Sequence, residues 1–236
     1  MGQIYLVRHG QASFGAKDYD RLSELGAEQA RLLGGWLGAS GLSFSRAIAG
    51  SLRRHRQTAE SCLSALPAAL KLGGACETEP GFDEYDHDDV LLRSRPEFSE
   101  PGAVRQWITK IDRPQQLFQQ LFDQAMRRWM GGGHDSDYRE PWPAFRNRCV
   151  GTLSNLAEQM NGDGNVIVFT SGGPIAAICQ HLLGFPDHQV AALTWTLVSS
   201  SAPKLLHRSG RVTLSTLNGH AHLEQSGRAQ QVITYR

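Results

Sequence analysis

The chain lacks a long hydrophobic run at its start. Met1-Gly2-Gln3-Ile4-Tyr5-Leu6-Val7 is apolar for only a few residues before Arg8, too short for a signal-peptide core or a membrane span. A cytoplasmic protein with no membrane partner is therefore expected. An excess of charge is lacking too: 24 basic residues stand against 23 acidic, so no global field favours nucleic acid, and an anionic ligand must be held by local charge. Cysteine is scarce. Cys62, Cys76, Cys149 and Cys179 include no Cys-x-x-Cys pair, which suggests neither a zinc knuckle nor a disulfide framework and predicts buried free thiols. There is no Gly-x-x-x-x-Gly-Lys-Ser/Thr loop, and polar residues follow Gly131-Gly132-Gly133 where a nucleotide site needs a βα unit. Internal repeats and low-complexity tracts are absent.

What is present reads as α/β. Three short apolar runs each pass at once into a polar turn and a helix-like segment, the rhythm of βα units around a parallel sheet. They are Ile4 to Val7 before Arg8-His9-Gly10, Arg46 to Ala49 before Gly50-Ser51-Leu52-Arg53-Arg54, and Val166 to Phe169 before Thr170-Ser171-Gly172-Gly173-Pro174. Pro174 fits the first helical position after the third run. All three turns fall at carboxyl ends of strands, where open α/β sheets bind ligands and helix N-termini offer free N–H groups to anions. Leu22, Leu25, Gln29, Leu32, Leu33, Trp36 and Leu37 predict an amphipathic helix with Ser23 as its N-cap. Residues from about 93 to about 164 turn helical and aromatic, and Trp107, Trp129 and Trp142 are read as core anchors there. Leu193 to Val198 and Arg211 to Leu217 look like further strands. The expectation is one domain over residues 1–236: a three-layer α/β/α arrangement with a mostly parallel central sheet and a helical insertion over the carboxyl ends of the strands.

Arg8-His9-Gly10 puts a nucleophile candidate, a fixed cation and a glycine directly after a strand. Imidazole is a good phosphoryl acceptor because it is largely unprotonated near neutral pH and the N–P bond it forms breaks again easily. Arg8 offers a fork of donors, and Gly10 lets backbone approach an anion. Arginines crowd the start of the second helix, where positive charge opposes the helix dipole unless an anion sits nearby. Arg54 and Thr58, four apart, share a face, so Arg53 and Arg56 point elsewhere. Glu84 lies among Asp83, Asp86, Asp88 and Asp89; crowding and partial burial raise a carboxyl pKa, as a general acid requires. The same cluster with His87 lacks the spacing of a calcium loop, and no metal or organic cofactor is expected. His220 and His222 are read as structural.

Arg8-His9-Gly10, then Leu22-Ser23-Glu24-Leu25-Gly26-Ala27-Glu28-Gln29-Ala30, then Leu52-Arg53-Arg54-His55-Arg56-Gln57-Thr58-Ala59, resemble in order the signatures of the histidine phosphatase superfamily, the phosphoglycerate mutase-like family. The resemblance implies that His9 is a phosphorylated nucleophile, that Arg8 and Arg54 clamp phosphate and that Glu84 protonates the leaving oxygen. Gly10, Gln11, Ser13, Ser171 and Gly172 are expected to touch the substrate, a small phosphorylated molecule. The turn Thr170-Ser171-Gly172-Gly173 departs from the pattern, because the resembling motif carries a second histidine where this chain has Ser171. The expected activity is phosphomonoester hydrolysis, weakened by that loss; the alternatives are a phosphoglycerate-type mutase and a binding protein that keeps the pocket without turnover. Restoring a histidine at 171 is expected to raise kcat unless His87 or Arg56 already fills the space.

Overall fold

The protein was analysed as a computed structural model that describes residues 1–13, 20–70, 72–98, 114–160 and 164–235. Six strands occur among the described residues: β1 (Gly2–Arg8), β2 (Arg46–Ala49), β3 (Glu77–Thr78), β4 (Asn165–Thr170), β5 (Lys204–Arg208) and β6 (Arg211–Thr216). They form one sheet in the order β3-β2-β4-β1-β5-β6. β3, β2, β4 and β1 run parallel; β5 and β6 form an antiparallel hairpin that closes the β1 side. The β1 to β4 register pairs Arg8 with Thr170, so the turns after these two strands leave the sheet side by side.

Strands buried on both faces explain the near-continuous apolar runs. Tyr5, Val7, Ala47, Ala49, Ile167 and Phe169 face α1 (Glu24–Ala39) and α2 (Arg53–Ser64), packing with Leu33, Leu37, Ala59 and Cys62. Their alternates Ile4, Leu6, Ile48, Val166 and Val168 face the opposite layer, α5 (Trp142–Gln159) and α6 (Gly172–Leu183), with Phe145, Cys149, Ile175 and Ile178. α3 (His87–Ser94) and α4 (Pro114–Met130) extend that second core through Leu91, Phe122 and Met126. Ser23 caps α1 as expected, its hydroxyl accepting from the Gly26 N–H, a contact that contributes about 1 kcal/mol.

Three local expectations change. Leu193 to Thr196 belongs to a helix, α7 (Val190–Thr196), not a strand. β5 already fills the β1 edge, and Thr194 and Thr196 return their hydroxyls to the carbonyls of Val190 and Leu193. α6 begins at Gly172 with Ser171 at the N-cap, so Pro174 is its third residue. His220 precedes and His222 lies within the short helix α8 (Ala221–Glu224), where His222 is buried near Ser200. α9 (Ala229–Val232) follows it. Cys62, Cys149 and Cys179 are buried and free, whereas Cys76 is half-buried. Trp129 and Trp142 are buried against one another with ring centroids 5.3 Å apart; Trp107 lies outside the described residues.

Candidate active site

His9 stands at the carboxyl end of β1 and is 6 % exposed. Its Nδ1 lies 2.7 Å from the Gly10 carbonyl oxygen. A carbonyl can only accept, so Nδ1 carries the ring hydrogen and Nε2 keeps its lone pair. Burial, then Arg54, Arg8 and His55, hold the ring well below the usual histidine range, so it is neutral at pH 7. Thr170 accepts from the His9 N–H, and Ser200 donates its own N–H to the His9 carbonyl at 3.2 Å. Ser200 does so from a left-handed backbone (φ 65°), a conformation a non-glycine residue holds only where its surroundings enforce it.

Gly10 has a packing reason beyond access to an anion. A Cβ there would stand 2.2 Å from the Gly26 carbonyl oxygen, and one on Gly26 would meet the Gln11 carbonyl at the same distance. The loop after β1 therefore lies directly on the first turn of α1. Gly10→Ala should destabilise the protein by about 1–3 kcal/mol, the usual range for overpacking, read as a lower urea midpoint at unchanged m-value; an unshifted midpoint would show that this contact relaxes freely.

The two clamp candidates are held in different ways. The Arg8 guanidinium donates to the Leu197 carbonyl and, at 3.4 Å, to that of Tyr235. Arg54 is 6 % exposed and donates Nη1 to Asp20 Oδ1 at 2.8 Å. Asp20 also accepts from the backbone N–H groups of Arg53 (2.8 Å) and Arg54 (3.4 Å). Its carboxylate thus sits on the N-terminus of α2 and supplies the negative charge that the arginine-rich first turn needs. Thr58 ties this helix to the nucleophile's loop, accepting from the Gly10 N–H at 3.1 Å and donating to the Arg54 carbonyl at 2.7 Å. Arg53 and Arg56 are exposed.

Glu84 reaches the site from the loop before α3. Its Oε2 accepts from the Gly173 N–H at 3.2 Å, on the first turn of α6. Burial raises its pKa, with Arg54, the Gly173 N–H and Arg8 opposing. Of the two expected causes burial acts and crowding of carboxylates does not, since the neighbours are engaged elsewhere. Asp83 is bound by Ser51, Asp86 caps α3, and Asp89 accepts from Arg93 and the Arg139 N–H. Burial and the two arginines push His87 down to about 3, and its ring lies over Tyr85 at 4.3 Å between centroids. No group of three or more His, Cys, Asp or Glu that could hold a metal ion occurs among the described residues.

Arg8, His9, Arg54, Glu84 and Gly172 line one cavity of about 570 Å³. Beyond them the wall is formed by Leu91, Phe122, Met126, Ala191 and Trp195, with Asp86 and Asp88 also on it. Gln11 and Ser13 are not among its lining. The Gln11 side-chain oxygen accepts from Ser23, and the Ser13 N–H donates to the Arg21 carbonyl. Ser171 is wholly buried beside Gly172, its hydroxyl 2.6 Å from His55 Nε2. Sequence reasoning passed over Asp20, His55 and Ser200. Asp20 had one readable signal, an unfavourable arginine cluster in want of an anion; His55 and Ser200 had none.

Among curated proteins, the chain is 28 % identical over 133 residues to the 2,3-bisphosphoglycerate-dependent phosphoglycerate mutase of Methylorubrum populi, covering 52 % of this chain and 61 % of that protein. It is 30 % identical over 122 residues to the mitochondrial serine/threonine-protein phosphatase PGAM5 of Xenopus laevis, covering 48 % and 44 %. The matches thus span less than two thirds of these relatives. Among solved structures, a phosphoglycerate mutase from Bacillus anthracis superposes with a TM-score of 0.66 at 18 % identity, covering 96 % of this chain and 97 % of that one. A mycobacterial glucosyl-3-phosphoglycerate phosphatase in complex with VO3 gives 0.58 at 20 %, covering 93 % and 100 %. These likenesses show a shared fold. Residues 4–219 match the family model of the histidine phosphatase superfamily (branch 1), and the chain therefore belongs to that superfamily.

Proposed function

We propose that this protein hydrolyses small phosphomonoesters through a phosphohistidine on His9. The observation that carries the reading is the state of His9: a neutral ring, its hydrogen committed to the Gly10 carbonyl, beside two arginines in one cavity. In the first step Nε2 attacks phosphorus, the ester P–O bond breaks, and Glu84 gives its proton to the departing alkoxide. In the second, Glu84 as carboxylate takes a proton from water, the hydroxide attacks phosphorus, and the N–P bond returns its electrons to His9. Arg8 and Arg54 offset the phosphoryl charge throughout, so these steps need no metal ion. Ser171, read against the resembling motif, replaces a second histidine.

The substrate is proposed to carry an apolar alcohol portion. Leu91, Phe122, Met126, Ala191 and Trp195 offer it carbon surface, while Asp86 and Asp88 would repel a second anionic group. That composition favours a phosphatase over a mutase, whose bisphosphorylated sugar or glycerate intermediate needs a second site for charge. The catalytic region is read as part of a single domain, residues 1–236, with an insertion at about 93–164.

Steady-state turnover of a chromogenic aryl phosphate, with radiolabel on His9 captured by an alkaline quench in the wild type, tests the chemistry. Label that passes to water supports the phosphatase; label that returns to a phosphorylated acceptor identifies the mutase; no label and no turnover would sink the hydrolysis reading. Glu84→Gln should lower kcat for alkyl phosphates by about 10²–10⁴-fold, the usual worth of general acid catalysis, and aryl phosphates far less, since a phenolate leaves with little help. Equal losses across leaving groups would refute the role. Because Glu84 must be protonated and its pKa is raised, wild-type kcat/KM should fall as pH rises through a point above the usual carboxylate range. His9, whose pKa is lowered, should stay nucleophilic well into acid.

A further inference from the structure

Beyond the groups assigned to phosphate, the cavity is walled mostly by carbon, and the imidazole of His87 interrupts it. His87 is the first residue of α3, whose start is fixed by Asp86: that carboxylate accepts from the Asp89 N–H at 3.0 Å. The half-buried ring lies on Tyr85 with centroids 4.3 Å apart and planes tilted by 45°, and stands 5.9 Å from Phe122. Tyr85 is anchored in turn against Trp129 at 4.7 Å and edge-on to Phe145 at 5.5 Å, while Phe122 meets Trp195 edge-on at 5.5 Å. The platform that orients His87 is thus continuous with the core.

Ring packing alone would be served equally well by phenylalanine. What sets His87 apart is its nitrogens. Neither bonds to another described residue, and neither is sealed away from solvent without a partner, as Nδ1 of His55 and Nδ1 of His207 are. They therefore open on the cavity that the ring lines. Thr194, another polar residue of the wall, returns its hydroxyl to the Val190 carbonyl instead. Burial, with the charges of Arg54 and Arg8, keeps the His87 ring neutral, and a neutral imidazole offers one donor and one acceptor. Nor does His87 stand in for a histidine at position 171, because the ring beside the Ser171 hydroxyl is that of His55.

We infer that His87 is a specificity-determining residue whose ring hydrogen-bonds a hydroxyl on the alcohol portion of the substrate, so that the substrate class is the monophosphate of a largely hydrocarbon diol. This rests on the phosphohistidine reading above and narrows its apolar substrate. A hydroxyl, itself donor and acceptor, matches either nitrogen of the ring. An anionic group at the same place is opposed by Asp86 and Asp88 on the wall, and a cationic one by Arg8 and Arg54, whose charges reach the ring. A wholly apolar alcohol would cover the nitrogens and leave them unpaired, which is how a polar group in a carbon-lined site rejects an analogue lacking its partner.

The test compares butyl phosphate with its hydroxybutyl counterparts, the hydroxyl on the third or the terminal carbon, too far from the ester oxygen to alter its departure. In the wild type at least one hydroxylated isomer should exceed butyl phosphate in kcat/KM by about two- to tenfold, the net worth of one neutral hydrogen bond. A purely apolar pocket gives the reverse order, since a hydroxyl leaves water at a cost. His87→Phe, which keeps a ring on Tyr85, should bring the ratio to about one or below, with butyl phosphate gaining; His87→Leu serves if that variant does not fold. His87→Asn, whose amide keeps a donor and an acceptor, should retain part of the preference. A merely structural His87 would lower both substrates together and leave their ratio unmoved. Wild-type enzyme that prefers butyl phosphate, a preference for hydroxyl that survives in folded His87→Phe or His87→Leu, or a stronger preference for aminobutyl phosphate, would each overturn the assignment. If the wild type turns over no phosphomonoester, it is the hydrolysis reading that has failed. Calorimetric affinities of the same phosphates then judge His87, and hydroxybutyl phosphates that bind no tighter than butyl phosphate would dismiss it.

Discussion

His9→Ala is expected to reduce phosphomonoester turnover by about 10⁴-fold or more, the scale on which deleting a covalent nucleophile acts in other enzymes. Of the other groups on the cavity wall, Glu84 is proposed as the proton donor and the His87 ring packs on Tyr85, while the Ser171 hydroxyl is buried against His55. The change should be nearly silent structurally. β1 is held by its ladders to β4 and β5, and the His9 main chain keeps its bonds to Thr170 and Ser200 whatever side chain is present. A circular-dichroism melt matching wild type, with no acid-labile phosphate on the protein after quenching, is the expected pair of results. Wild-type turnover in a folded His9→Ala protein would remove the mechanism altogether.

Arg54→Ala should weaken vanadate or inorganic phosphate binding by about 10²-fold or more, because each hydrogen bond to a charged group contributes about 1.5–3 kcal/mol and a guanidinium fork can make two. Arg53→Ala should change it less than about twofold, as Arg53 is exposed. The contrast follows from Asp20, which draws Arg54 inward with one oxygen and caps α2 with both. Loss of the arginine leaves Asp20 bonded to two backbone N–H groups and partly solvated, so the fold should bear the change. Isothermal titration of vanadate into both variants reads the difference. Comparable losses would mean that Arg53 swings into the cavity when an anion arrives.

Several features of this site are legible wherever the deciding partners are near in sequence. An apolar run broken by Arg8-His9-Gly10 can only be a strand ending in a turn, because burial on both faces demands the run and a tight approach demands the glycine. Arg54 separates from Arg53 and Arg56 by helical spacing alone, since Thr58 shares its face one turn on. Ser23 announces α1 because its hydroxyl answers an N–H three residues later. The segment at Leu193 shows the limit of local reading: its alternating apolar and polar residues suit a strand, but a strand needs a free edge, and the one beside β1 belongs to β5.

By itself, then, the sequence determined the α/β class, the three turns at the carboxyl ends of strands, and the residues placed on those turns. These follow from hydrogen-bonding and burial periods of two and 3.6 residues, which act within a few positions along the chain. Only the tertiary structure decided which turns meet. The order β2-β4-β1 sets three carboxyl ends side by side, and so brings Asp20 to Arg54 across 34 residues, Glu84 to Gly173 across 89 and His55 to Ser171 across 116. Contacts of that span leave no periodic trace, because either partner alone is an ordinary polar residue, and the energy that selects them exists only after the sheet has formed.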